Sequence, residues 1–484
     1  MKLDAWIPAL SQQKWQKCRL GLRALRGDFE AYAVESMETL QDHGAVRSSD
    51  SKDVFVHKGI FDAHIHLSWA GSKAKQFDFE RQPDWRAFEN FVASSTVNFV
   101  KSYGLDENKM SASLDEMEET FLQVCRRHPH RELIVYRVCG HLALVSPNLA
   151  QRYQLPARGA WIEDRGIHRL HDLMPPASCA DFKDSFLKMQ TEMLSRGITA
   201  VGEMSLVDAA CEALIKLCQD GRLLIDIQGV LEAGRAPQAE AFGPRLVSNR
   251  DAIGPLDRAA ELQMRHWKLY LDGSMGARTA WLSQPYSDAE TFGLQLVNGL
   301  ELLERSSQAL KKGFFLSFHA IGDAAVDQIL DLGDSVLGLL KQSRRALDSW
   351  GWAPSQHRIE HAQVLREDQL SRIAQQGWCL VLQPHHRVAD AVFVESRLGP
   401  RFPGLTYRAG SLLRAGIPIA LSTDAPVDFA KPREIVNSLS HHPVVSERIL
   451  EKEALWLATV GARSTLGLRQ DPIELGSTVF LTEL

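Results

Sequence analysis

The sequence predicts an α/β protein built around a (β/α)8 barrel of the TIM type. From about residue 54 onward, short apolar runs alternate with longer amphipathic stretches, which is typical of parallel strands joined by crossover helices. About eight such units over roughly 400 residues favour a barrel, and no glycine-rich dinucleotide fingerprint follows any strand. Several strand-like runs end in His, Lys or Asp, as barrel strands do where they converge on an active-site mouth.

The elements can be assigned in order along the chain. Residues 19–34 show some alternation and predict one or two strands, and residues 42–53 read as a polar linker. The later strand-like runs are residues 54–61, 133–139, 198–204, 223–231, 267–271, 314–318, 357–359, 379–382 and 417–421. Helical patterns occupy residues 181–196, 206–220, 300–312, 324–338 and 367–376. We therefore expect an N-terminal segment at 1–53, a barrel domain at 54–440 and a C-terminal segment with a helix at 441–484.

The composition is that of an ordinary globular enzyme. The chain has 484 residues, of which 45% are hydrophobic and 24% are charged, and its formal net charge is −5. No basic patch indicates nucleic acid or a membrane surface, so we expect a small-molecule substrate. The 7 cysteines include no Cys-x-x-Cys pair, and no apolar leader or membrane-length run is visible, so we expect a cytoplasmic protein. The sequence leaves open whether the chain forms a homo-oligomer.

Two histidines stand at alternate positions of the first barrel strand, in the motif FDAHIH at residues 61–66. Alternate residues of a strand share a face, so His64 and His66 project to the same side. Two neutral imidazoles there suit a borderline divalent metal such as zinc. Taken alone, a hydrogen-bonded structural pair explains the motif equally well.

A lysine lies in the apolar run that begins the motif KLYLDGSMGARTA at residues 268–280. Burying a free ammonium is costly, so the ordinary interpretation is a Lys268 side chain whose amine reaches water. The alternative is that burial keeps the amine neutral, that carbon dioxide carbamylates it, and that the resulting anion bridges two metal ions.

Three further candidates follow later strand-like runs. His319 ends an apolar strand before a helix, and His361 stands where the next short strand ends. Asp424 follows the last strand-like run and, in isolation, is more typical of a cap or a turn. Beside a metal, it can ligate the ion and accept a proton from the water that the ion activates. Glu360 is predicted either to orient a neighbouring ligand through its carboxylate or to form an ion pair with an arginine, Arg358 or Arg387.

Two histidine pairs are less informative. His385 and His386 follow the strand-like run at 379–382, and a solvated loop pair is about as good an interpretation as one imidazole reaching the mouth. His441 and His442 precede a proline and read as loop residues.

Together these residues resemble the amidohydrolase superfamily. Within it they are similar to amidohydrolase family 3, which includes N-substituted formamide deformylases and the YtcJ-like proteins. The resemblance spans roughly residues 55–475 and rests on FDAHIH, the lysine segment, FHAIGDAAVD at 318–327, RIEHAQ at 358–363, LQPHH at 382–386 and STDAPV at 422–427. Weaker matches are GHLALVSPNLA at 140–150 and RGITAVGEM at 196–204.

The resemblance implies a metal site at the barrel mouth. The implied ligands are His64, His66, Lys268, His319, His361 and Asp424. The first two histidines and the aspartate would hold one ion, and the carbamylated lysine would bridge to a second ion held by the other two histidines. The superfamily contains sites with one ion as well as two, and zinc is the metal that we expect. Asp424 would be the catalytic residue, as general base and proton shuttle.

The resemblance also bears on the substrate and on the chain ends. His141 lies in a segment that faces the substrate in such enzymes, although a structural histidine after a strand is an equal alternative. Trp69 lies upstream of the mouth, and we expect it to bear on substrate choice. Family members build a small β-sandwich from the two chain ends. Residues 1–50 do not match that stretch clearly, which predicts a reduced or irregular β-sandwich here.

The expected activity is hydrolysis of an amide or formamide C–N bond, other than a peptide bond, by metal-activated water. A metal-dependent deaminase of a ring C–N bond is an alternative, although mononuclear deaminases of the superfamily generally lack the lysine ligand. A third alternative is an inactive barrel that binds a small molecule or a protein. The intact ligand set argues against this third alternative.

Overall fold

The computed structural model describes residues 1–9, 14–24, 32–39, 54–73, 75–137, 142–173, 176–249, 259–348, 357–468 and 478–483. The strands are β1 (Lys2–Ala9), β2 (Lys14–Ala24), β3 (Tyr32–Thr39), β4 (Val54–His57), β5 (Ile60–Ile65), β6 (Phe77–Asp78), β7 (Phe99–Leu105), β8 (Glu132–Arg137), β9 (Leu142–Val145), β10 (Trp161–Glu163), β11 (Ile198–Leu206), β12 (Asp226–Glu232), β13 (Arg245–Ser248), β14 (Glu261–Tyr270), β15 (Phe315–Ala320), β16 (Arg358–His361), β17 (Cys379–Leu382), β18 (Ile419–Leu421) and β19 (Thr478–Glu483).

The helices alternate with these strands over most of the chain. They are α1 (Leu67–Lys73), α2 (Trp85–Ser94), α3 (Glu107–Met110), α4 (Leu114–Arg127), α5 (Pro147–Tyr153), α6 (Asp164–Leu173), α7 (Cys179–Ser195), α8 (Asp208–Gln219), α9 (Pro237–Phe242), α10 (Gly299–Lys311), α11 (Asp323–Asp348), α12 (Glu367–Gln376), α13 (His386–Asp390), α14 (Val394–Leu398), α15 (Phe402–Leu405), α16 (Ala409–Arg414), α17 (Pro432–Ser440), α18 (Glu451–Trp456) and α19 (Ala462–Leu466). No helix in the described ranges has the length and apolar character that a membrane span requires.

Parallel strands form the central sheet, in the order β5-β11-β12-β14-β15-β16-β17-β18. Just past the ends of β5 and β18, the backbone N–H of Asp424 donates to the carbonyl of His64 at 2.9 Å. The N–H of His66 donates to the carbonyl of Ala425 at 2.8 Å. These two bonds join the first strand to the last, so the sheet is a nearly closed barrel of eight strands. The predicted TIM-type (β/α)8 fold is confirmed.

The barrel strands are apolar because both of their faces are covered. Every residue of β5 and of β17 is buried, as expected where side chains fill the interior and helices cover the outside. The helices are apolar on one side only. In α10 the buried residues Leu302, Ser306, Ala309 and Leu310 recur at helical spacing, and the Asn298 side chain caps the first turn.

One predicted barrel strand belongs elsewhere. The run at 133–139 forms β8, which lies in a separate five-stranded sheet of order β10-β9-β8-β7-β6. This sheet belongs to a compact unit, Ala70–Ser178, within the segment that we expected to be one barrel domain. An aromatic-rich core that includes Phe79, Phe88 and Phe121 packs in this unit. A buried strand has the same apolar pattern in either sheet, so the sequence could not distinguish them.

The two chain ends build a small closed sheet of order β1-β2-β3-β19-β4. Its interior contains Ala5, Ile7, Cys18, Leu20, Leu22 and Val34. It is a five-stranded barrel, whereas the resemblance implied a β-sandwich. β4 pairs here with β1 and β19, so the first strand of the large barrel is β5.

Candidate metal centre

The barrel brings five of the six predicted ligands together at the carboxyl ends of its strands. The ring centre of His64 lies 5.5 Å from that of His66 and 4.8 Å from that of His361. The ring centre of His319 lies 4.5 Å from that of His361. Asp424 Oδ1 lies 3.3 Å from His64 Nε2 and 3.4 Å from His66 Nε2. His64 lies in β5 and His66 directly follows it, while the others come from β15, β16 and the segment after β18, so the barrel topology creates the cluster.

The sixth predicted ligand, Lys268, lies in β14 beside this cluster. Its side chain is 1% exposed, and its Nζ lies 4.7 Å from the ring centre of Tyr270. That tyrosine ring in turn lies 5.3 Å from the ring of His319. Burial, and after it the charge of Lys268, lowers the pKa of His319 to about 4. The Lys268 amine therefore lies close enough to His319 to lower the pKa of that imidazole.

A hydrogen bond at one ring nitrogen fixes each of three imidazoles. His64 Nδ1 donates to Glu360 Oε2 at 2.7 Å, and His361 Nδ1 donates to Gln383 Oε1 at 2.8 Å. His319 Nε2 donates to the carbonyl of Gly273 at 3.2 Å. The free lone pairs are therefore on Nε2 of His64 and His361 and on Nδ1 of His319.

The surroundings of His66, His319 and His361 favour the neutral imidazole, which is the form that binds a metal. Burial lowers the pKa of His66 to about 4, although Asp424 opposes this shift. Burial and the neighbouring histidines hold the pKa of His361 well below its ordinary value. Burial alone would raise the pKa of Asp424, but His64 and His66 hold it well below the usual range. The cluster thus offers neutral nitrogens and one carboxylate, which is a donor set that suits zinc.

Two atoms of the cluster have no hydrogen-bond partner in the described part of the chain. They are His64 Nε2 and Asp424 Oδ1, and both are buried. The donor atoms of His64, His361 and Asp424 all lie within 4.8 Å of one another, a spacing that allows one ion to contact all three. Buried polar atoms are rarely left unpaired, so this pair marks a position where a further group belongs.

Unusual backbone conformations accompany the cluster. His361, Ala362 and Asp424 have φ values of 73°, 45° and 59°, in the left-handed region that most residues avoid. The Thr423 hydroxyl and N–H both donate to the carboxylate of Asp62, at 2.5 and 3.0 Å. The hydrogen bonds of the neighbouring Thr423 therefore stabilise the unusual backbone conformation at Asp424. Such strained conformations are typical of functional sites.

Glu360 has both of the roles that the sequence left open. Besides accepting from His64, its carboxylate accepts from Arg358 Nη2 at 3.1 Å and from Ser317 Oγ at 2.6 Å. Arg358 also donates to the Gln228 side chain at 2.7 Å and to the carbonyl of Ala63 at 2.6 Å. A buried ion-pair network therefore fixes the ring of His64.

Three residues near the cluster were not predicted from the sequence. Gln383 fixes His361, as described above. Glu203, in the second half of β11, accepts the N–H groups of Leu67 at 2.6 Å and Ser68 at 3.1 Å, and burial raises its pKa to about 7. Asp272 accepts the N–H groups of Trp281, Ile321 and Gly322. Burial raises the pKa of Asp272 to about 7. A strand-end position is their only sequence signal.

Of the two predicted substrate contacts, Trp69 lies in the described part of the chain. The ring of Trp69 lies 5.9 Å from that of His66, and this residue is 49% exposed. An exposed aromatic beside the cluster is available to a ligand. His141 lies outside the described residues, so its role stays a prediction.

Comparison with known proteins identifies the family. The profile of the amidohydrolase family matches residues 50–474. The putative amidohydrolase YtcJ of Bacillus subtilis is 24% identical over 440 residues, which are 83% of this chain and 74% of that protein. The Arabidopsis thaliana protein LONG AFTER FAR-RED 3 is 32% identical over 205 residues, which are 40% of this chain and 33% of that protein.

Two solved structures share the fold. An uncharacterized metal-dependent hydrolase from Pyrococcus furiosus superimposes with a TM-score of 0.75 at 24% identity, covering 100% of this chain and 98% of that one. Another, from Pyrococcus horikoshii, superimposes with a TM-score of 0.71 at 22% identity, covering 94% of each chain. The profile match spans most of the sequence, and the predicted family is confirmed. The chain belongs to the amidohydrolase family and is a hydrolase.

Proposed function

We propose that this chain is a metal-dependent hydrolase that cleaves an amide or formamide C–N bond, other than a peptide bond, in a small molecule. The unpartnered pair of His64 Nε2 and Asp424 Oδ1 carries the proposal. When the His64 imidazole is neutral with its proton on Nδ1, which donates to Glu360, Nε2 presents a lone pair, and the carboxylate oxygen 3.3 Å away presents another. Two buried lone pairs at this distance repel each other unless a cation lies between them.

The residues present fit one or two divalent ions, and zinc suits them best. His64, His66 and Asp424 would hold the first ion. We further propose that the Lys268 amine adds carbon dioxide and loses a proton, and that this carbamate bridges to a second ion held by His319 and His361. The burial of Lys268 beside these histidines supports that assignment.

Asp424 is suited to move the proton in this reaction. An ion bound beside it supplies Lewis acidity that polarises the substrate carbonyl and acidifies a nearby water. The Asp424 carboxylate has a pKa well below the usual range, so it is ionised, which is the form that can accept a proton. We assign this task to its second oxygen, Oδ2, because Oδ1 faces the two imidazoles. The same oxygen then returns the proton to the leaving nitrogen. Trp69 would contact the substrate beside His66.

The test replaces Asp424 by Asn. Asparagine tolerates a positive φ, so the backbone is retained while the base is lost. We expect turnover of N-formyl, N-acyl and cyclic amides to fall about 10²- to 10⁴-fold, with the metal content largely unchanged. Asp331→Asn, an exposed change on α11, is the matched control and should keep full activity.

Full activity of the Asp424→Asn protein would refute the assigned base. If protein purified without added metal contains none, and zinc or manganese restores no activity, the hydrolase proposal fails. An inactive ligand-binding barrel would then be favoured.

A further inference from the structure

A column of polar side chains runs through the interior of the large barrel and ends at the candidate metal centre. The polar column consists of Gln228, Arg358, Glu360 and His64, and each of these residues is 0% exposed. Barrel interiors are usually filled by branched apolar side chains. Because a buried ion pair adds little stability over apolar residues of similar volume, stability alone does not account for the column.

The upper half of the polar column supports both the ring and the backbone of His64. Glu360 Oε2 accepts from His64 Nδ1 at 2.7 Å. Arg358 contacts the same carboxylate, with its Nε 2.7 Å from Oε1 and its Nη2 3.1 Å from Oε2. Arg358 Nη2 also donates at 2.6 Å to the carbonyl of Ala63, the residue directly before His64. A displacement of this guanidinium would therefore disturb both supports of His64 at once.

Gln228 determines where that guanidinium lies. Its Oε1 accepts from Arg358 Nη1 at 2.7 Å, and its Nε2 donates to the carbonyl of Leu466 at 2.6 Å. A guanidinium only donates and a carbonyl only accepts, so one orientation of the amide satisfies both partners. If Oε1 were removed, Nη1 would lose its acceptor inside the barrel, and a buried charged donor without that acceptor favours a shifted position.

The lower end of the polar column rests on the C-terminal segment. Leu466, in α19, packs with Cys379 and Val381, which stand opposite Arg358 and Glu360 in the pairing of β17 with β16. Arg463 forms an ion pair at 3.0 Å with Asp226, the first residue of β12. This segment is therefore anchored at the amino ends of the barrel strands, opposite the metal centre. It gives Gln228 a fixed acceptor.

We propose that Gln228 is a positioning residue for the candidate metal centre. It holds the Arg358 guanidinium, which holds Glu360, and so it fixes the direction of His64 Nε2 without touching an ion. This inference rests on the proposed function and adds to it a residue at the far end of the barrel interior. The alternative is that Gln228 only fills space. Both roles predict a loss of stability on substitution, so the test needs a signal from His64 itself.

The test replaces Gln228 by Met, which removes both hydrogen bonds and nearly retains the side-chain volume. The first readout is the Nδ1–H proton resonance of His64 in the metal-free full-length protein, assigned by its absence from the His64→Gln protein. The second is zinc affinity, measured by competition with a chelator. We expect the resonance to shift or broaden and the affinity to fall roughly 3- to 10-fold, less than for a direct partner of a ligand.

Gln263→Met is the matched control. Gln263 stands opposite Gln228 on β14, is also buried, and its Oε1 accepts from Arg265 at 2.6 Å rather than from Arg358. This variant should lose stability but keep the His64 resonance and the zinc affinity of the wild type.

Two further substitutions of Gln228 complete the test. Gln228→Glu is the rescue variant, because its carboxyl group can accept from Arg358 and, when protonated, donate to the Leu466 carbonyl. It should keep both readouts near the wild-type values. If Gln228→Met does not fold, Gln228→Asn takes its place, since the shorter amide cannot span both partners.

The outcomes separate this inference from the proposed function. An unchanged His64 resonance in Gln228→Met, or equal changes in Gln263→Met, would overturn the positioning role. A changed resonance in Gln228→Met alone, in a protein whose wild type neither binds zinc nor hydrolyses an amide, would support the control of His64 by Gln228 and reject the reaction. Amide hydrolysis by the wild type, with zinc affinity and resonance indifferent to Gln228→Met, would support the reaction and reject the role of Gln228.

Discussion

At the scale of single residues, hydrogen bonds to the Nδ1 atoms of two imidazoles decide which ring nitrogens remain available to an ion. Glu360 and Gln383 hold the Nδ1 atoms of His64 and His361, so both Nε2 atoms are left for an ion. Such supporting contacts commonly change metal affinity by about 10- to 100-fold. The rigidity of the centre therefore depends on residues that do not touch the ion.

Replacing Gln383 by Leu should weaken metal binding about 10- to 100-fold, because His361 loses the acceptor that fixes its ring. Metal affinity measured by competition with a fluorescent chelator checks this. Ser422→Ala is the matched control, since Ser422 Oγ accepts from Gln383 Nε2 at 2.8 Å and does not contact His361. Equal losses in the two variants would contradict the assigned role.

The sequence predicted the clustered residues but not their supports. His64, His66, His319, His361 and Asp424 were identified because they stand where strand-like runs end, and strand ends of a barrel converge. Their roles as ligands remain predictions. The function of Gln383 depends on a contact across 22 positions of the chain, and no local pattern encodes such a contact.

At the scale of elements, a side chain of β11 holds the turn from β5 into α1. The Glu203 carboxylate accepts the N–H groups of Leu67 and Ser68, directly after His66. This carboxylate is buried, and its pKa rises from 4.5 to about 7. In the folded protein it therefore keeps a proton at pH values where the unfolded chain has lost it.

Glu203→Gln should change how stability depends on pH. A raised folded-state pKa means that the stabilisation is complete below pH 4.5 and is lost as the pH rises towards 7. The free energy of unfolding of the metal-free wild type, relative to the variant, should fall by up to roughly 3 kcal/mol over this window. Urea unfolding of both proteins from pH 4.5 to 8 measures the difference.

Asp208→Asn provides the control for this pH effect. Asp208 likewise accepts two backbone N–H groups, those of Gln238 and Ala239, but it is only partly buried. The loss of unfolding free energy caused by Asp208→Asn should not change from one pH to the next within the window. A pH slope that is the same in wild type and Glu203→Gln would exclude the carboxylate as its source.

The sequence predicted where the strands lie along the chain better than it predicted which sheet each strand joins. Eight of the nine strand-like runs correspond to strands of the large barrel. The ninth became β8 of the separate sheet, because apolar periodicity reports burial and not the neighbouring strand. The small barrel was harder to predict, since β19 pairs with β3 and β4 from the other end of the chain.

At the scale of the whole molecule, the candidate metal centre lies across the junction of the first and last barrel strands. The N–H of Asp424 donates to the carbonyl of His64, and the side chains of the same two residues face each other. A cation held between them would connect the two strands a second time. Binding and barrel closure should therefore be coupled.

Chelation of the metal should lower the thermal stability of the protein. An ion present at about 100 times its dissociation constant stabilises the folded state by ~3 kcal/mol, which corresponds to a shift of a few degrees in Tm. Calorimetric scans with and without EDTA measure this. The His361→Ala protein should show a much smaller shift, and an equal shift in both proteins would contradict a contribution from this centre.

The position of β19 has a consequence for synthesis on the ribosome. β3 and β4 are made early, but the strand that lies between them is made only after the large barrel. At ordinary translation rates this delay is on the order of tens of seconds. The nascent polypeptide would meanwhile carry two unpaired strand edges, which is the kind of surface that holdase chaperones bind and that promotes aggregation.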